Sequence, residues 1–342
     1  MKSELLQKKT LLSTLPRTIL NRLNMLTPAK TSPTVCIAVL NWRGKRYLPD
    51  LLNSLIDAVD EFGSNCEIIV LDNNEDDDSD RIWVNENFPS ARVIKAPNND
   101  FLYSYNWLLA QLTEKIVILL NNDLKVDRHF ILPLVKHFIN PNIFAVSSRS
   151  YNWEGDYITS GPYLFRQHRG WFYCTPDLSK QYTSYTLFAC GGHMAVDREK
   201  FLDIGGFDRL FYPAYGEDLD LCVRAWQRQW ISIYEPESIV YHFQSGSWNE
   251  EGNEKAQYFT LRSNFLFQWR HLTSFPFSVF HTFYLQWLFI RQLLRRNRVW
   301  LRAYYDARKI FIKTSAQNSN LPAITSADIN FFKKTCGSSF TD

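Results

Sequence analysis

The sequence is poor in several features that would each point to a particular chemistry. Its 342 residues hold six cysteines, Cys36, Cys66, Cys174, Cys190, Cys222 and Cys336. None belongs to a C-x-x-C pair and several lie in apolar runs, so they read as buried reduced thiols rather than a disulfide framework or a zinc site. Long apolar runs are missing as well. Lys8, Lys9, Arg17 and Arg22 interrupt the first 31 residues where a signal peptide needs an unbroken apolar stretch, which predicts a cytoplasmic location. The most apolar C-terminal stretch, residues 275–290, is shorter than the ~20 residues of a membrane-spanning helix. Internal repeats and low-complexity tracts are also missing.

Charge is nearly balanced at +3 but unevenly placed. Residues 34–261 are acidic, with a net charge of −11, while residues 1–33 carry +5 and residues 262–313 carry +9. An acidic body is a poor match for nucleic acid. Basic, apolar ends suit an anionic membrane surface. Arg291, Arg295, Arg296 and Arg298 directly follow the aromatic 275–290 stretch, which reads either as an interfacial helix or as a helix packed on the main domain.

What is present is an alternation of strand and helix. Val35–Leu40 is a continuous apolar run of the kind buried on both faces of a parallel sheet. Leu48, Leu51, Leu52, Leu55 and Ile56 follow at helical spacing. Glu67–Leu71, Ala91–Lys95 and Ile116–Leu120 read as further strands, with a helix from Tyr105 to Leu112. The expected fold class is α/β, a mostly parallel Rossmann-like central sheet flanked by helices, with a C-terminal helical extension. The expected domains are a basic N-terminal segment (1–33), a catalytic domain (34–260, halves 34–130 and 131–260) and a basic, aromatic extension (261–342). Ligands of such sheets bind at the carboxyl ends of the strands. That draws attention to Asn41-Trp42, Asp72-Asn73-Asn74 and Asn121-Asn122-Asp123. Later in the chain, Phe188–Val196 reads as a strand broken by Gly191-Gly192. Glu217, Asp218 and Asp220 occupy the first turn of a helix, and His242 ends the second of two short strands, Ile231–Tyr234 and Ser238–Tyr241.

Each motif has an ordinary structural explanation. Acids in a helix's first turn favour its dipole, Asn and Asp suit strand-end turns, and paired glycines suit a bulge. The ordered set is more specific. Val39-Leu-Asn-Trp42, Val70-Leu-Asp-Asn-Asn74, Leu119-Leu-Asn-Asn-Asp-Leu124, Gly191-Gly192, Ile204-Gly-Gly-Phe-Asp208, Gly216-Glu-Asp-Leu-Asp-Leu-Cys222 and His242 together resemble family 2 glycosyltransferases of the GT-A fold, in particular the bacterial rhamnosyltransferase-like branch.

The resemblance implies an inverting transfer of a sugar from a nucleoside diphosphate to a saccharide or lipid-linked saccharide in surface-polysaccharide synthesis. It implies Mn²⁺ or Mg²⁺ as cofactor, held by Asp123 and His242. Asp218 takes the role of general base, with Glu217 beside it. Asp72 accepts from the imide N–H of uracil or thymine, favouring UDP- or dTDP-sugars. Asn41, Trp42, Asn74 and Asn122 line the nucleotide, while Gly191, Gly192 and Trp248 face the donor sugar and acceptor. The chain departs from the family pattern at Asn121, where the first acid of the usual acid triplet is an amide. It departs again at Asp100–Asn106, where bulky residues replace glycines, and at Gln229, where glycine is common. Asn121 keeps open a second reading, a pseudoenzyme that binds nucleotide or glycan without transfer. A pyrophosphorylase would need a glycine-rich phosphate loop, and Asn41-Trp42-Arg43-Gly44 offers one glycine.

Overall fold

The computed structural model describes residues 34–340 apart from 64–65, 244–251, 276 and 319–322. The N-terminal segment 1–33 and Trp248 lie outside the described residues.

The first half repeats strand and helix. β1 (Val35–Asn41) leads to α1 (Leu48–Phe62), β2 (Cys66–Asp72), α2 (Ser79–Asn87), β3 (Ala91–Lys95), α3 (Ser104–Gln111) and β4 (Ile116–Asn121). α1 forms because its apolar residues recur at helical spacing and Pro49 suits a helix start. It ends at Gly63, whose φ of +64° allows a left-handed cap donating to the Val59 carbonyl. Leu48, Leu51, Leu52 and Leu55 are fully buried on the sheet, each contributing roughly 1.5–3 kcal/mol.

The second half is more irregular. It comprises β5 (Leu124–Val126), α4 (Ile131–Val135), β6 (Ile143–Asn152), β7 (Ile158–Ser160), the hairpin β8 (Tyr163–His168) and β9 (Trp171–Pro176), and β10 (Ser184–Tyr185). There follow β11 (His193–Asp197), α5 (Arg198–Asp203), α6 (Glu217–Trp226), β12 (Ile231–His242), α7 (Gly252–His271), α8 (Phe277–Leu294), α9 (Arg298–Asn318) and α10 (Ser326–Thr335).

Ten strands form one sheet in the order β10-β12-β6-β11-β4-β1-β2-β3, with β5 and β7 at its side. β3, β2, β1 and β4 run parallel, as the apolar runs predict. β11 enters between β4 and β6 antiparallel to both. Its strand begins only at His193, because Gly191-Gly192 forms a turn in which the His193 amide donates to the Cys190 carbonyl. The two short strands expected around 231–241 are one strand, β12, whose pairing with β6 shifts between Glu235 and Ile239. Pro236, which has no amide to donate, lies inside that bulge.

Apolar side chains fill both faces of the sheet. Val35, Ile37 and Val39 join α1 and α4 on one face. Cys36 and Ala38 join α3, α6, α7, α9 and α10 on the other. Residues 34–342 make one compact unit, and α7 runs through position 260. The six cysteines are free, four of them buried.

Candidate active site

The carboxyl ends of β1, β2 and β4 meet in a buried polar cluster. Asn41, at the end of β1, is wholly buried. Its Nδ2 donates to Asp72 Oδ1 (3.3 Å) and to Asp80 Oδ2 (3.0 Å), and its Oδ1 accepts from Asn122 Nδ2 (2.8 Å). Asn41 therefore ties three strand ends together. The Asn74 amide also donates to Asp72 Oδ1, but Asp72 Oδ2 is buried without a partner. Burial raises the Asp72 carboxyl above its ordinary range, and the bonds from Asn74 and Asn41 oppose this. Trp42, one residue beyond, is 50% exposed, and the Arg43 guanidinium lies over its ring at 5.2 Å.

Gly44 makes this cluster possible. A Cβ there would lie 1.8 Å from Asn122 Nδ2 and 2.5 Å from Asn41 Oδ1, so only glycine lets the backbone pass. Gly44→Ala is expected to push the Asn122 amide aside and weaken nucleotide binding at least tenfold, measured by calorimetry. Unchanged affinity would separate the cluster from the nucleotide site.

Asp123 lies just past β4. Its Oδ2 is 3.4 Å from His242 Nε2, and its Oδ1 is buried and unpaired. The two residues are held together by backbone. β5 pairs with the end of β12, setting Leu124 opposite His242, and the Phe243 amide donates to the Asp123 carbonyl (2.9 Å). Tyr47 and Trp153 pack their rings on Phe243. Among the described residues no three His, Cys, Asp or Glu side chains converge on an ion site. Asp123 and His242 supply two donors, and with ligand bonds of about 2.1 Å two atoms this far apart can share one small divalent ion. Asn121 takes no part in this. Its side chain lies against Gly192, where a Cβ would come within 2.7 Å of its amide nitrogen.

Gly191-Gly192 joins this edge to α6. The Asn121 amide donates to the Gly192 carbonyl (2.9 Å), and the Gly191 amide donates to Asp218 Oδ2 (3.2 Å). Leu102, in the segment where the family usually has glycines, packs beside Gly191 at the same point. It narrows the space next to Asp218. Gln229, the other departure from glycine, takes a φ of +62°, the left-handed conformation that glycine adopts at least cost.

The paired acids of α6 are not equivalent. Asp218 accepts two backbone amides, Gly191 at Oδ2 and Leu219 at Oδ1 (2.8 Å). Glu217 is buried, and its Oε2 has no partner. Burial first, and the Asp218 charge second, push Glu217 up to about 8. Burial raises Asp218 too, but its amide donors favour the ionised form. The pair therefore releases its first proton mainly from Asp218 and keeps Glu217 protonated near neutrality.

Asp220 serves a different purpose. It is fully buried and bonded to Arg224 Nε (2.7 Å) and His271 Nε2 (2.8 Å), with Arg270 Nε at 3.4 Å. It anchors α6 to α7. Arg262 of α7 holds the preceding loop by donating to the carbonyls of Phe211 and Ala214.

Most of the residues singled out in the sequence thus meet at one sheet edge: Asn41, Trp42, Asp72, Asn74, Asn122, Asp123, Gly191, Gly192, Glu217, Asp218 and His242. Trp248 lies outside the described residues. Gly44, Asp80 and Arg262 add to the set, and Asp220, visible in the sequence only as a third acid of the helix's first turn, anchors it. Of the three additions only Gly44 left a trace in the sequence, as a glycine soon after a strand end.

Comparison with known proteins identifies the family. Residues 34–205, half of the chain, match the model of the glycosyl transferase family 2. The chain belongs to that family. Among curated relatives, this glycosyltransferase is 24% identical over 246 residues to the O-antigen biosynthesis protein RfbC of Myxococcus xanthus, covering 68% of this chain and 19% of RfbC. The chain spans about a fifth to a quarter of the length of the curated relatives it matches. Among solved structures, it is similar to the mannosyltransferase PcManGT from Pyrobaculum calidifontis in complex with GDP-Man and Mn²⁺. The identity is 14% and the TM-score 0.49, over 85% of this chain and 79% of that one. It is also similar to GalNAc-T7 with UDP, GalNAc and Mn²⁺, at 15% identity and a TM-score of 0.49, over 69% and 51%.

Proposed function

We propose that this family 2 glycosyltransferase moves a sugar, with inversion, from a UDP- or dTDP-sugar to a hydroxyl of a saccharide or lipid-linked saccharide in bacterial surface-polysaccharide synthesis. The observation that carries this reading is the set of unpaired buried carboxylate oxygens on Asp72 and Asp123 at the sheet edge that also holds Asp218. Buried acceptors without partners cost about 1–3 kcal/mol each, and a bound donor would satisfy them. A protonated imide nitrogen of uracil or thymine matches Asp72 Oδ2, and Trp42 offers a stacking face. Asn74 and Asn122 complete the nucleotide's polar lining.

Asp123 and His242 fit a divalent cation, Mn²⁺ or Mg²⁺. Bound there, such an ion would supply positive charge to offset that of a diphosphate leaving group. An imidazole ligand favours Mn²⁺ over Mg²⁺. The remaining chemistry belongs to the chain. Asp218 removes the proton of the acceptor hydroxyl, the oxygen bonds to C1 of the sugar from the opposite face, and the C1–O bond to the nucleoside diphosphate breaks. Protonated Glu217 donates a hydrogen bond that holds the acceptor. Gly191 and Gly192 leave room for the sugar. Residues 34–260 form the catalytic domain in this reading, with 261–342 as an extension.

Calorimetry with UDP, dTDP, GDP and CDP, each with and without Mn²⁺, tests the donor half. One uracil or thymine nucleotide should bind only with Mn²⁺, and Asp123→Ala or His242→Ala should weaken it at least tenfold. Asp72→Asn should erase the preference for these bases over cytosine. Metal-dependent binding without transfer to any acceptor would favour the pseudoenzyme reading, with Asn121 as its cause. No binding of any nucleotide would sink the proposal.

A further inference from the structure

α8 is apolar on two faces. Leu285, Leu288 and Phe289 pack inward on the core, and His281 is buried. A helix so placed normally turns polar residues outward. Here the outer face carries Phe280 (59% exposed), Phe283 (68%), Trp287 (47%), Ile290 (57%) and Leu294 (79%). Their spacing of three and four residues makes one continuous stripe along the helix. Solitary exposed apolar residues are normal, but a contiguous stripe of this size marks a contact surface.

The charge along α8 and its junction with α9 is of one sign. From Leu272 to Leu301 the sequence holds four arginines, 291, 295, 296 and 298, and no acid, and the next, Arg302, pairs with Asp306. Arg295, Arg296 and Arg298 are exposed where α8 gives way to α9, and Arg291 lies over the Trp287 ring at 5.2 Å. At the other end of the helix the β8–β9 hairpin contributes exposed Arg166, on β8, and Arg169, at the turn. That turn is fixed to α8. The His281 ring hydrogen-bonds the Gly170 carbonyl (3.2 Å) and stacks on Trp171, and a Cβ on Gly170 would lie 2.5 Å from the His281 nitrogen. The groove between turn and helix, about 650 Å³, is lined mainly by Phe277, Phe280, Phe283, Tyr284 and Trp287. No helix among the described residues is long and apolar enough to cross a membrane.

We propose that the outer face of α8 and the β8–β9 turn form a peripheral docking surface for an anionic lipid bilayer, with the aromatic stripe entering the interface and the arginines pairing with lipid phosphates. An apolar stripe alone would suit a protein partner equally well. The arginines at both ends, with no acid along the helix, match a uniformly negative surface. This inference does not depend on the transfer chemistry.

Vesicle co-sedimentation of the full chain tests it. Vesicles of equal parts phosphatidylglycerol and phosphatidylcholine should pull the protein down, and pure phosphatidylcholine should bind it at least tenfold more weakly. High salt should weaken the anionic binding, because exposed charges are screened. The triple variant Phe280→Ser, Phe283→Ser, Trp287→Ser and the triple variant Arg295→Gln, Arg296→Gln, Arg298→Gln should each lose at least tenfold, since an arginine near such a surface contributes about a fivefold factor. Both sets lie on exposed positions, and an unchanged thermal melt confirms that the variants are folded. Failure of the natural sequence to bind anionic vesicles at low salt would overturn the proposal. So would binding that survives the aromatic substitutions. Concentration-dependent dimers lost in the aromatic variant, without vesicle binding, would assign the stripe to a second copy of the chain instead.

Discussion

Asp218→Asn should lower the rate of sugar transfer by about a thousandfold, within the range of a lost general base, while leaving donor affinity within twofold. Glu217→Gln should lose less than tenfold near neutrality. The asymmetry follows from the hydrogen bonds. Asp218 has two amide donors that stabilise its charge, whereas Glu217 is desolvated with a bare Oε2 and is pushed up to about 8. A protonated glutamic acid and a glutamine both offer a donor from the same position, so the substitution preserves what Glu217 supplies. The two pH profiles sharpen the test. Burial raises Asp218, so kcat/KM should fall on the acid side at a pH above the ordinary aspartate value of about 3.9. On the alkaline side, ionisation of Glu217 removes its donor and sets a second negative charge beside the base. The natural sequence should therefore lose activity above about pH 8, and Glu217→Gln should not. Equal losses from both substitutions, or an alkaline limb that persists in Glu217→Gln, would show that the roles of the two acids are not divided in this way.

The nucleotide half of the fold was legible because its physics is local. Val35–Leu40 is apolar at every position, as suits a strand covered on both faces, and each such run ends at polar residues that the sheet places at its carboxyl edge. Asn41, Asp72 and Asp123 were therefore visible as polar residues at the strand ends before any coordinates. The second half was less legible. The antiparallel entry of β11 depends on the turn at Gly191-Gly192, which reads equally as a bulge in a longer strand. Pro236 and Ser238 interrupt the apolar pattern of β12, so one bulged strand looks like two. Asp80 carries no sign in the sequence of its bond to Asn41, because the pairing arises only when α2 folds back beside β1. The same holds for Asp220, whose partners Arg270 and His271 lie fifty residues further on. In the sequence, Asp220 looks like a third acid in the first turn of a helix, interchangeable with its neighbours.

That resemblance makes Asp220→Ala the most informative stability variant. Asp220 is wholly buried between two guanidiniums, Arg224 from its own helix and Arg270 from α7, and the His271 ring of α7. The beside-lying Arg224 guanidinium and the His271 bond hold its carboxyl well below the usual range despite burial. A depressed carboxylate contributes stability that is present above its unfolded value of about 3.9 and is lost as pH falls through the folded value. Asp220→Ala removes that contribution at neutral pH and leaves the Arg224 guanidinium buried without a counter-ion, while Arg270 keeps Asp208 (2.7 Å), a loss of about 3–5 kcal/mol. Arg224 also donates to the carbonyls of Ile204 and Gly206, so its release loosens the loop that precedes α6 as well. The melting temperature should fall by roughly 5–10 °C. As a control, Asp203→Asn removes a surface partner of Arg228 and should move it by about 1 °C or less. Transfer should fall in Asp220→Ala even at temperatures where the protein stays folded, because α6 carries Glu217 and Asp218 and is held to α7 through Asp220. A melt within 2 °C of the natural sequence would mean that Arg224 and His271 find other partners, and that α6 keeps its position without the buried charge.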